Sequence, residues 1–125
     1  MADLALIAVA AAFALMGVLS LAAPARVLSQ FGVPALTRDG RNEVRGVYGG
    51  FGVAVAALLL SVLAAPPLRP GACLAVAVAL VGMALGRLVS AFVDRGIGKA
   101  PLAYLAFEIV FAGLALYAMG GRQAA

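Results

Sequence analysis

The chain has no histidine and no tryptophan, a single cysteine, Cys73, and only nine Lys/Arg and five Asp/Glu among its 125 residues. Without histidine there is no imidazole base, no imidazole haem ligand and no mixed Cys/His metal site. One cysteine excludes an intramolecular disulfide, and Cys73 reads as a small apolar filler near a helix start. Charge this sparse cannot cover a water-soluble globule. With 66% hydrophobic residues, 11% charged and a mean hydropathy of +1.14, the solvent that fits is a bilayer. The net charge of +4 does not point to nucleic acid, because the bases are scattered over short connectors and no Lys/Arg run carries interleaved aromatics. They read as a topology signal and as contacts to lipid headgroups.

What is present is apolar length. Residues 4–23 form a 20-residue apolar run, enough to cross a hydrocarbon core of about 30 Å. A cleaved signal peptide is the rival reading, since Ala23-Pro24-Ala25 places small residues suitably. Against it stand the acidic Asp3, the lack of a basic n-region and the length of the run. A short amphipathic helix over about 25–32 follows, with Val27, Leu28 and Phe31 on one face and Arg26, Ser29 and Gln30 on the other. Thr37 or Asp39 is available to cap the next helix.

Spans over about 42–64, 72–93 and 101–119 complete the set. Pro66, Pro67 and Pro70 force a tight turn after the second, and Pro101 opens the fourth, which closes at Gly120-Gly121. The expected fold is all-α: one polytopic membrane domain over 1–125, an antiparallel bundle of four transmembrane helices. We call the face reached after the first span face B and the opposite one face A. Arg26, Arg38, Arg41, Arg45, Arg95 and Lys99 fall on face B, against Arg69 and Arg122 on face A. That bias predicts face B in the cytoplasm and both termini outside it.

Two segments echo each other. Ala25-Arg26-Val27-Leu28-Ser29-Gln30-Phe31 and Gly86-Arg87-Leu88-Val89-Ser90-Ala91-Phe92 share an arginine, two aliphatics, a serine and a phenylalanine. Each precedes a glutamate, Glu43 or Glu108, near the head of the next helix. A duplicated helical hairpin is one reading of this; chance in an apolar sequence is the other.

Chemistry concentrates toward face B. Arg87, Ser90 and Asp94 share one face of the third span. Arg87 and Glu108 each lie about 10 Å in from face B on antiparallel helices, so they reach similar depth and are expected to pair. Asn42, Glu43, Arg45 and Tyr48 enter from the same side on the second span, and Arg45 is expected to pair with Glu43 or Asp94. Gly46, Gly49 and Gly50, with Gly82 and Gly86 in the third span, offer close helix approach. The cluster is either a structural ion-pair network or a small polar pocket for an anionic headgroup, a metabolite or a proton.

The element Asn42-Glu43-Val44-Arg45-Gly46-Val47-Tyr48-Gly49-Gly50, with Gly86-Arg87, Ser90, Asp94 and Glu108 downstream, resembles a family of small bacterial four-helix membrane proteins known as a domain of unknown function. The resemblance covers nearly the whole chain. It implies a bacterial inner-membrane protein with four spans that retains this polar set, and it brings no activity, substrate or cofactor.

No catalytic constellation, metal cluster or cofactor motif is expected, which argues against an enzyme. The function expected is the binding of a lipid or small amphiphile, or service as an accessory or scaffold subunit, alone or in a homo-oligomer. The alternative is a minimal oligomeric transporter or channel in which Arg87 and Glu108 exchange partners.

Overall fold

The computed structural model describes residues 1–121; Arg122, counted above on face A, lies outside the described residues. Helix α1 (Ala2–Ala22) runs without a breaker until Ala23 leaves helical geometry, and Pro24 then opens the short α2 (Pro24–Ser29). Gly32 turns the chain with a φ of +80°, open to glycine at no steric cost. Thr37 caps α3 (Arg38–Ser61), its hydroxyl oxygen accepting the Gly40 N–H at 3.0 Å. Within α3, residues Arg45–Gly50 widen into a π-helical segment. A 3₁₀ turn over Pro66–Leu68 leads into α4 (Arg69–Val93), and α5 (Lys99–Met119) follows.

All four long helices are apolar enough to cross a bilayer, and the described residues contain no strand. This is a multi-pass membrane protein. Helix α3 begins at Arg38, α4 at Arg69 and α5 at Lys99, each a turn or so ahead of its apolar run. Hydropathy marks where hydrocarbon begins, whereas the hydrogen-bonded ladder continues into polar residues that can be capped.

Helix α1 is the centre of the bundle. One of its faces packs along α3 and another along α5, α4 pairs intimately with α5, and α3 meets α4 only sparsely. The shared core sits toward face A, where Leu6 and Val9 of α1, Leu59 and Val62 at the end of α3, Cys73 and Val76 of α4 and the small Ala112, Ala115 and Ala118 of α5 interlock. Cys73 is a free, buried thiol in that core.

Toward face B, α1 and α3 touch backbone to backbone. A Cβ at Gly17 would lie 2.7 Å from the Val53 nitrogen, and one at Gly52 would lie 2.9 Å from the Phe13 carbonyl oxygen. A Cβ at Gly49 would meet the Leu21 side chain at 2.8 Å. Only residues without a side chain fit there. This corrects the expected glycine contacts. Gly46, Gly82 and Gly86 face open space, and Gly50 would make only an ordinary contact at 3.7 Å, with the Arg45 carbonyl. The working set is Gly49 and Gly52 against Gly17, because the neighbour that also lacks a Cβ is α1.

The internal echo does not carry into the geometry. Arg26 lies beyond the first spanning helix and is exposed, while Arg87 lies inside a continuous one; Glu43 is exposed and Glu108 buried.

Arg69 also departs from expectation. Read from sequence as a connector charge on face A, it is 3% exposed. Its Nε donates to the Ala118 carbonyl at 2.7 Å and its Nη1 pairs with Asp3, so one guanidinium joins the ends of α1, α4 and α5. Gly121 makes room for it, since a Cβ there would lie 2.5 Å from Nη2.

Candidate functional site

The helical repeat of α5 places Tyr104, Phe107, Glu108 and Phe111 on one broad face, and that face looks across at α1. The two helices close on each other near face A, where alanines allow it, and stand apart toward face B, where α5 carries rings. The gap is a groove of about 330 Å³. One wall is α1, with Ala12, Phe13, Leu15, Met16 and Leu19; Leu80 and Met83 of α4 form the floor, and the α5 residues form the other wall. From Leu19 to Ala12, or Tyr104 to Phe111, is seven residues, about 10 Å along the membrane normal. The aromatic wall is continuous: ring centroids lie 5.3 Å apart for Phe31 and Tyr104, 6.4 Å for Tyr104 and Phe107, and 6.2 Å for Phe107 and Phe111.

Two wall residues are polar. Glu108 is 4% exposed, and its charge is met by Arg87, one turn beyond Met83 on α4. The Arg87 Nε donates to both carboxylate oxygens, at 2.8 and 3.0 Å. A lone carboxylate at this depth would cost several kcal/mol, so the pair is how the bundle tolerates it. The Arg87 guanidinium also stands 5.4 Å from the Tyr104 ring centroid, a cation–π geometry. The Tyr104 hydroxyl accepts from the Gln30 Nε2 at 2.8 Å, which fastens the segment after α1 to α5.

Arg87 and Glu108 therefore meet; the remaining candidates do not join them. Arg45 pairs with neither Glu43 nor Asp94. Its Nε donates to the Leu21 carbonyl at 2.9 Å, which caps the C-terminal end of α1. Asn42 and Glu43 are exposed, and Tyr48, 44% exposed in the π-helical segment, is not among the residues that line the groove. Ser90 donates to its own-helix neighbour Asp94 at 3.3 Å, both at the exposed end of α4. The physical reason is the glycine contact: it turns the Arg45 face of α3 toward α1, on the far side from α4 and α5.

Sequence reasoning missed Tyr104, Gln30 and Phe31. Tyr104 stands four residues before Glu108, one turn nearer face B, and that spacing alone was the available signal. Gln30 and Phe31 carried none, because they reach α5 only through the fold.

The geometry defines a four-span membrane bundle with a lateral apolar groove and a buried ion pair at its face B end. The chain belongs to the family described as Domain of unknown function (DUF4345), whose model matches residues 1–119. No curated protein and no solved structure is significantly similar to it.

Proposed function

We propose that this protein holds the hydrocarbon chain of a lipid or small amphiphile in the groove between α1 and α5, with the polar end toward Arg87, Glu108 and Tyr104. The observation that carries this reading is the groove itself: about 330 Å³ of space walled almost wholly by apolar side chains, with a neutralised carboxylate set into one wall. Binding sites of this kind are concave, largely apolar and oriented by a few polar groups. Six basic residues on face B favour placing that end in the cytoplasm, with both termini outside, in the inner membrane of a bacterium. The role is binding or presentation rather than catalysis, either alone or as an accessory subunit. A transport path through one copy draws no support, because the face A half is filled by Leu6, Val9, Leu59 and Val76.

The test is native mass spectrometry of protein extracted from its own membranes. Wild type should retain an amphiphile, and Ala12→Phe, which places a ring in the groove, should lose it while the helical content and melting temperature stay unchanged. Equal retention by both proteins would remove the groove as the binding site.

A further inference from the structure

We infer that the groove is selective for an anionic amphiphile with one chain, whose carboxylate or phosphate head is met by the Arg87 guanidinium and the Tyr104 hydroxyl; this rests on the groove being a binding site at all. The selectivity follows from which hydrogen-bonding groups are already used. Glu108 presents two oxygens, and both accept from the Arg87 Nε. The acceptor side of the pair is thus partly engaged and its charge met. The donor side is not: among the described residues, neither Nη of Arg87 makes a hydrogen bond, and its side chain is 25% exposed. Tyr104 accepts from Gln30, so its own O–H proton remains to be donated. The end of the groove therefore offers donors in excess of acceptors, and a guanidinium presents paired N–H groups in the fork that matches carboxylate or phosphate oxygens.

Charge at longer range acts in the same direction. Arg26 on α2, Arg95 and Lys99 lie on the face B side of the groove end, where an anionic head would sit. The dimensions set the chain. A groove about 10 Å tall, with a volume about eleven times the roughly 30 Å³ of a water molecule, accepts about ten methylenes. A volume of that size holds one short chain and not the paired chains of a diacyl lipid. The lateral opening lets the rest of a longer chain pass into the bilayer.

The experiment is competition for the groove in the full-length protein reconstituted in nanodiscs, using probes matched at twelve carbons: dodecanoate, dodecyl phosphate, dodecanol and dodecylamine. Dodecanoate or dodecyl phosphate should bind at least tenfold more tightly than dodecanol and dodecylamine, and the ratio between the two anions identifies the preferred head. In Arg87→Gln/Glu108→Gln, which replaces the pair by neutral hydrogen-bonding groups of similar size, that preference should fall below threefold, the two anions losing more affinity than dodecanol does. Tyr104→Phe should reduce anion affinity more than dodecanol affinity. Equal binding of all four probes by wild type overturns the headgroup inference and leaves the groove reading standing. Binding of none of them overturns both.

Discussion

Arg69 and Arg87 stand 18 residues apart on one helix, about 27 Å along its axis, and the bundle surrounds them in opposite ways. Arg69 is 3% exposed, bonded to a backbone carbonyl of α5 and to Asp3 of α1, and closed over by Gly121. Arg87 is partly open, bonded through one nitrogen to Glu108, and set beside a groove. The first guanidinium closes an end; the second leaves one open. Small side chains make the difference. Ala112, Ala115 and Ala118 let α5 close on α1 toward face A, while Tyr104, Phe107 and Phe111 hold the same two helices apart toward face B.

The closed end is the more sensitive of the two to substitution. Arg69→Ala would remove the side-chain donor from the Ala118 carbonyl, which also accepts from the Gly121 N–H at 3.2 Å, break the pair with Asp3 and open a cavity, and should destabilise the detergent-solubilised protein by about 4 kcal/mol. Cys73 provides the measurement. As the single cysteine and buried in the face A core, it should react with a thiol-specific fluorophore only when that half opens, so labelling during a thermal ramp reads its stability. An unchanged labelling midpoint would mean that Arg69 is not the closure.

Next in size is the α1–α3 contact. Gly17→Val sets new atoms against the backbone of Val53 and Gly49 and should cost about 3 kcal/mol, whereas Gly82→Val on the open face of α4 should be nearly neutral. If both variants melt together, the glycine contact is not what sets the α3 packing. Glu108→Gln is expected to be milder, about 1.5 kcal/mol by the same labelling midpoint, since Arg87 keeps a neutral acceptor but loses its counter-charge. A loss as large as that of Arg69→Ala would erase the distinction between the two arginines.

The smallest effect is a gain. Arg95 follows α4 at a φ of 56°, a left-handed position in which Gly96 N–H closes back on the Ala91 carbonyl at 2.9 Å. Arg95→Gly should stabilise the protein by about 1 kcal/mol. If it destabilises instead, the Arg95 side chain contributes a contact that outweighs the backbone relief.

The four spans and the Arg87–Glu108 pair were legible in the sequence, because apolar run length, proline punctuation and antiparallel depth are arithmetic on residue positions. The partner of α3 was not. Gly49 was readable as a point of close approach, but which neighbour it meets depends on Gly17, a lone glycine in a long apolar run with nothing to distinguish it. Arg69 was hidden for a related reason. Its position beside three prolines suggests a water-facing turn, and only the convergence of Asp3 and the end of α5 buries it. Tyr104 and Gln30 meet across 74 residues, a distance no local pattern spans.

The sparse contact between α3 and α4 bears on how the protein is made. During synthesis α1 and α3 emerge first and hold each other through their glycines, and α4 and α5 follow as a second close pair. The seam between the two pairs is closed by alanine surfaces at one end and held apart by aromatic rings at the other. The groove is the part of that seam left unsealed, open sideways to the surrounding bilayer.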